Sequence, residues 1–173
     1  TGGLLPDRLA PCQSAVPPVV ASESLMFGRF SAILLAALVA LTPLSACSAD
    51  NSLVVHSANG DHRFTVEIVD TPEGRARGLM FRQSLADDAG TLFDFKEERP
   101  VSFWMMNTFI PLDMIFIRAD GTIANVHVNA VPHDSTGIPS DGPVQFVLEI
   151  PGGRSVELGI DAGDTVEHPR IAD

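Results

Sequence analysis

Basic residues and cysteines are both scarce in this chain of 173 residues. Lys and Arg together number 11 against 22 Asp and Glu, so the formal net charge is -11. Nucleic acid phosphates and anionic lipid head groups repel a chain this acidic, and we therefore expect no nucleic acid partner. The only cysteines are Cys12 and Cys47, which leaves little scope for a disulfide framework.

Several signatures of catalysis and cofactor binding are also missing. There is no Gly-rich phosphate loop ahead of a helix, no Gly-x-Ser-x-Gly elbow and no pair of neighbouring cysteines. His127, His133 and Asp134 do not show a recognised spacing of metal ligands. We therefore expect neither a cofactor nor a metal ion, and the sequence favours a protein that is not an enzyme without deciding the point.

Apolar residues are unevenly distributed and are most concentrated near the start of the chain. Residues 1–25 have no helical or strand periodicity, and we interpret them as disordered upstream read-through, with Met26 as the true start. Residues 26–46 combine a basic beginning, an apolar run over 31–41 and small residues, which is typical of a secretory signal peptide. That run is too short for a membrane span, which needs roughly 20 apolar residues.

The end of this segment, Leu-Ser-Ala-Cys at residues 44–47, resembles the bacterial lipobox. The resemblance implies cleavage before Cys47 and acylation of that residue, and several acyl chains anchor a protein stably because each buried methylene contributes about 0.8 kcal/mol. Ser48, rather than Asp, follows the cysteine, which resembles an address to the outer membrane, facing the periplasm. The alternative is a soluble secreted protein cut after Ala49. An acylated Cys47 would leave the mature domain without a thiol.

Beyond the anchor, the composition predicts a tether over residues 47–60 and a single β-rich domain over residues 61–173. Apolar and polar residues alternate as in half-buried strands, and Thr71-Pro72 and residues 154–158 have the signals of short helices. The predicted strands cover residues 64–68, 91–95, 101–106, 112–117, 124–130 and 144–150, and residues 160–166 contain a turn and a last strand. These patterns predict a mainly β (α+β) fold, a compact antiparallel barrel-like or sandwich domain with two short helices.

The most unusual stretch is residues 103–113, which contains the only tryptophan, Trp104. Asn107 and Thr108 can form a sharp bend between two strands, because Asn tolerates a left-handed backbone. Asp113 then falls on a strand face that is otherwise apolar, where an ionised carboxylate needs a partner. We expect that partner to be Arg77 or Arg82 of the first helix, either as part of a ligand site or as a buried ion pair that holds the helix on the sheet.

The chain resembles a bacterial and archaeal family called domain of unknown function 192. The residues that carry the resemblance are 78–82, 90, 92–93, 103–113, 121, 143, 148–149 and 163–164. The resemblance covers nearly all of residues 64–166 and is most specific in the run Trp-Met-x-Asn-Thr-x-Ile-Pro-Leu-Asp over residues 104–113. It implies a compact, mostly β domain, often behind a signal peptide, with no established activity. Thr91 departs from the family pattern, which usually has Met after the preceding glycine.

The leading hypothesis from the sequence is a lipid-anchored envelope protein that binds a small polar or glycan-like ligand, or a fragment of an envelope polymer, in a cleft. The candidate ligand-binding residues are Arg77, Arg82, Trp104, Asn107, Thr108, Asp113 and Glu149. One alternative is a structural or assembly factor that contacts other proteins through the loop over residues 131–143. A second alternative is a hydrolase that uses Asp113 and Glu149 as a carboxylate pair.

The anchor can be tested independently of the domain. We expect Cys47→Ala to release the protein from the membrane fraction into the soluble fraction, because the substitution removes the site of acylation. Fractionation of cells that express each form, followed by detection of the protein, measures the effect. An unchanged membrane fraction would contradict the lipoprotein hypothesis.

Overall fold

The computed structural model describes residues 51–171. The predicted read-through, the signal peptide and Cys47 lie outside these residues. Within them the chain forms nine strands and two short helices. In chain order these are β1 Ser52–Ser57, β2 Gly60–Val69, α1 Pro72–Arg77, β3 Ala89–Arg99, β4 Ser102–Phe103, β5 Leu112–Ile117, β6 Ile123–Ala130, β7 Ile138–Pro139, β8 Val144–Pro151, α2 Arg154–Leu158 and β9 Thr165–Glu167. Neither helix is long and apolar enough to cross a membrane.

Seven of these strands form one curled sheet in the order β6-β5-β8-β3-β2-β1-β9. All neighbouring pairs are antiparallel except β2 and β3, which are parallel. Helix α1 and the segment after it connect these two strands. The two ends of the sheet meet where Thr122, just before β6, bridges to Thr165 of β9. The predicted mainly β class with two short helices is thus confirmed, with a sheet that curls into a half-barrel.

The central strands are buried on both faces, because each face of the sheet packs against its own apolar cluster. Ile115 of β5 and Leu148 of β8 belong to the cluster inside the curl. Met114 and Val147, one position away on the same strands, belong to the cluster on the outer face. The outer cluster includes Leu79, which follows α1, and residues on both sides of β4, so these segments cover that face.

The helices begin where the sequence predicts. The Thr71 side chain accepts a hydrogen bond of 3.1 Å from the Gly74 N–H, and Pro72 occupies the first turn of α1, as favoured at helix starts. Helix α2 ends at Gly159, whose φ of 64° is the left-handed conformation that favours glycine.

The predicted tether is wrong for residues 52–60. Residues 52–57 form β1, which pairs with both β2 and β9, and Leu53 and Val55 are fully buried in the inner cluster. The folded domain therefore begins earlier than residue 61. The sequence does not predict this strand, because its ends are polar and only Leu53 and Val55 enter the core.

Three predicted strands differ by more than one residue from those observed, and the one expected over residues 64–68 extends over Gly60–Val69 as β2. The strand expected over residues 101–106 is reduced to β4, because the Met105 N–H donates to the carbonyl of Asp134 in the long loop rather than to a neighbouring strand. Strand β3 is longer than expected, because the charged run after Phe95 continues the strand with exposed side chains. Asn107 has a φ of 58°, which confirms the predicted left-handed bend.

Asp113 joins α2 to the sheet. Its side chain is fully buried, and one carboxylate oxygen accepts from the backbone N–H groups of Asn129 at 2.6 Å and Gly153 at 2.8 Å. The other oxygen accepts from the Ser155 N–H at 2.7 Å and from the Ser155 hydroxyl at 2.5 Å. The predicted partner, Arg77 or Arg82, is therefore wrong: four donors at the start of α2 and on β6 already surround the carboxylate.

We expect Asp113→Asn to lower the free energy of unfolding by about 3 kcal/mol or more. The NH2 group of Asn would face N–H or O–H groups that now donate to Asp113, and those buried donors would lose their acceptor. Urea unfolding measures the change. Asp141→Asn is the matched control, since Asp141 is exposed and its carboxylate has no hydrogen bond within residues 51–171; it should change stability by less than about 0.5 kcal/mol. Equal stability of the two variants would refute this role for Asp113.

Candidate functional site

An open cleft lies on the outer face of the sheet, between α1 and the segment that begins with β4. Its volume is about 390 Å³, within the range of small-molecule pockets. The cleft is lined by Pro72, Arg75, Ala76, Arg77, Gly78, Leu79, Met80, Phe93, Phe95, Arg99, Ser102, Phe103, Trp104, Thr108 and Glu149. It therefore combines aromatic walls, guanidinium groups and one carboxyl group.

Aromatic rings form the apolar part of the cleft. Phe103 contacts Phe93 and Phe95 edge to face, with ring centroids 5.1 Å and 6.2 Å apart, so its position is fixed by the residues beneath it. Trp104, the next residue, is 51% exposed. A large aromatic side chain held half in solvent beside a cleft offers a flat surface on which a ligand can stack.

Three arginines surround the cleft without a carboxylate partner. Arg75 donates from one nitrogen to the carbonyls of Asp70 at 2.8 Å and Asp94 at 3.0 Å, and its guanidinium lies over the Phe95 ring. Arg99 lies over the same ring at 4.9 Å. Within residues 51–171, none of Arg75, Arg77 and Arg99 forms an ion pair with an acid. These guanidinium groups therefore keep donors for an external anion.

Glu149 is the only acidic residue in the lining. The residue is 4% exposed, and one of its carboxyl oxygens has no hydrogen-bond partner within the described part of the chain. Burial raises the pKa of Glu149 to about 8, so the carboxyl is protonated and uncharged at neutral pH. Thr91 on β3, which pairs with Glu149 across the strands, also has an unpaired buried hydroxyl. Buried polar groups without partners are rare in folded proteins and call for an explanation.

The structure brings together four of the seven candidate residues from the sequence: Arg77, Trp104, Thr108 and Glu149 all line the cleft. Arg82 instead forms a 2.5 Å ion pair with Glu67, and Asn107 lies outside the lining. Glu149 pairs across the strands with Met114, the residue after Asp113. Because successive residues of a strand point to opposite faces, Asp113 is on the opposite face of the sheet from Glu149.

The proposed carboxylate pair is therefore wrong. Asp113 pairs with Ile150 across the strands, so Asp113 and Glu149 project from opposite faces and cannot act on one bond.

His133 packs against the Phe109 ring, and residues 51–171 contain no cluster of three or more side chains suited to a metal ion.

The sequence does not predict that Arg75, Arg99 and the aromatic wall belong to the cleft. Arg99 belongs to a charged run that resembles a solvated connection, although that run continues β3 beside the cleft. Arg75 and Arg77 are both in the last turn of α1, and this concentration of basic residues is a signal that could have included Arg75.

The protonated carboxyl of Glu149 predicts a specific pH dependence of stability. Between about pH 4.5 and about pH 8 the folded state keeps a proton that the unfolded state has released, so stability falls as pH rises. Relative to Glu149→Gln, the native protein should lose about 1.4 kcal/mol per pH unit in this window and no more above it. Urea unfolding across this pH range measures the difference.

The control for this experiment is Glu97→Gln, an exposed position on β3. That variant should follow the pH dependence of the native protein. A constant difference between the native protein and Glu149→Gln at all pH values would show that Glu149 is charged in the folded state.

Comparison with known proteins adds the family. The sequence profile of the DUF192 family, described as "Uncharacterized ACR", matches residues 54–168. A protein of unknown function from Novosphingobium aromaticivorans DSM 12444 is 44% identical, with a TM-score of 0.66, and the match covers 68% of this chain and 84% of that one. A "putative transcription regulator" from Sinorhizobium meliloti 1021 is 48% identical, with a TM-score of 0.65, over 67% of this chain and 91% of that one. No curated protein matches the chain. The chain belongs to the uncharacterised DUF192 family.

Proposed function

We propose that this protein binds a small polar ligand, or a fragment of an envelope polymer, in the cleft between α1 and β4, while a lipid on Cys47 anchors it to the envelope. The observation that carries the proposal is the half-exposed Trp104 beside an open cleft of about 390 Å³. Sugar rings stack on such side chains with their apolar faces, while neighbouring polar groups bind the hydroxyls.

The structure revises the residues that serve this proposal. Arg77, Trp104, Thr108 and Glu149 remain, and Arg75 and Arg99 join them. Asp113, Arg82 and Asn107 no longer belong to the site. The name of the Sinorhizobium meliloti protein refers to transcription, but the net charge of -11 on this chain disfavours attraction to DNA.

The alternative of an assembly factor stays a prediction. Phe81 and Phe109 contact each other edge to face and are 56% and 40% exposed, and Val131 at the start of the long loop is 64% exposed. These side chains are compatible with a protein contact, but they do not form a cavity.

Because Trp104 is the only tryptophan, its fluorescence reports binding in the cleft directly. We expect a saturable change when at least one of three amino sugars is added: N-acetylglucosamine, N-acetylmuramic acid or phosphorylated N-acetylglucosamine. By calorimetry, Trp104→Ala should bind the same sugar about tenfold more weakly, since stacking on an aromatic ring contributes roughly 1–3 kcal/mol.

Phe109→Ala is the matched control, because this exposed aromatic residue lies outside the cleft lining. It should leave the affinity unchanged. If none of the three sugars binds, the proposed function is wrong.

A further inference from the structure

The charges of the cleft are opposite to those of the rest of the molecule. The chain has twice as many acidic as basic residues, yet three arginines line the cleft and its one acid is Glu149, which is buried at the base. An acidic protein tends to pair its cations with nearby carboxylates, as Arg82 and Arg170 do here. A group of unpaired guanidiniums in such a chain is therefore a local site for anions.

The base of the cleft has a different chemistry. Glu149 lines the cleft and has one unpaired carboxyl oxygen, and its cross-strand neighbour Thr91, outside the lining, has an unpaired hydroxyl. A protonated carboxyl both donates and accepts hydrogen bonds, so it suits an uncharged hydroxyl or amide of a ligand. The lining as a whole therefore distinguishes two ends of a ligand, one charged and one neutral.

We propose that the ligand is a hydroxylated organic anion, whose carboxylate or phosphate is bound by Arg75, Arg77 and Arg99 and whose neutral polar group hydrogen-bonds to Glu149. The inference rests on the proposed function, because it specifies which ligands the same cleft prefers. Trp104 then contacts the body of the ligand between its two ends. Because the chain has a net charge of -11, nonspecific attraction would not make it bind anions in preference to neutral ligands.

The three amino sugars separate the contributions of charge and ring. N-acetylglucosamine is neutral, N-acetylmuramic acid adds a carboxylate, and phosphorylated N-acetylglucosamine adds a phosphate to the same ring. We expect one or both anions to bind at least about tenfold more tightly than the neutral sugar, because a hydrogen bond between two charged groups is stronger than one to a neutral group. The tighter of the two anions identifies whether the arginines select a carboxylate or a phosphate.

Substitutions assign each end of the ligand. Arg77→Gln should weaken binding of the preferred anion about tenfold and binding of the neutral sugar by a much smaller factor, because the guanidinium bonds most strongly to a charged group. Arg118→Gln, outside the cleft, should change neither. Glu149→Met keeps the length of the side chain and removes an unpaired buried carboxyl, so the variant should fold. It should weaken binding of all the sugars by a similar factor, because it affects the neutral end.

The outcomes separate the two proposals. If the neutral sugar binds as tightly as both anions, or if Arg77→Gln has no effect on the anions, the anion inference is overturned while ligand binding in the cleft stands. If Glu149→Met binds every sugar like the native protein, the assignment of the neutral end to Glu149 is overturned. If no sugar changes the fluorescence of Trp104 or gives a calorimetric signal, both proposals fail together.

Discussion

The burial of the central strands on both faces is the constraint from which most of this structure follows. Strands β5 and β8 contribute side chains to an apolar cluster on each side of the sheet, so a polar side chain in the middle of either strand loses most of its contact with water. Asp113 meets this constraint through four internal donors. These hydrogen bonds connect α2 and β6 to β5, so one buried carboxylate holds three elements together.

Glu149 is subject to the same constraint and meets it differently. It lies on the other face, where the donors that surround Asp113 are absent, and it remains protonated instead of finding a partner. Two carboxyl groups on adjacent strands thus have separate roles, one in holding the fold together and one at the base of a cleft. The arginines above the cleft also form no ion pair with an acid within the described residues. Polar groups at both the base and the rim of the cleft can therefore form hydrogen bonds with a ligand.

The sequence predicts the elements better than their relationships. Strands with clear alternation and helices with a cap or a terminal glycine are found, because those signals are local. The partner of Asp113 could not be found this way, since its donors come from the start of α2 and from Asn129, a residue whose φ of 54° is not visible in the pattern. Alternation placed Asp113 and Glu149 on their strands, but the register between β5 and β8 decides that they face apart. Arg99 was missed because a strand with exposed charges resembles a loop.

The position of β1 bears on how the domain would sit at a membrane. This strand begins at Ser52, five residues after Cys47, and Leu53 is already fully buried. A fully extended chain covers at most about 3.6 Å per residue, and the connection can therefore reach only roughly 18 Å. With acyl chains on Cys47, the start of β1 would be confined to the vicinity of the lipid head groups. Such a domain would sample ligands in the thin layer next to the bilayer rather than across the full width of the compartment.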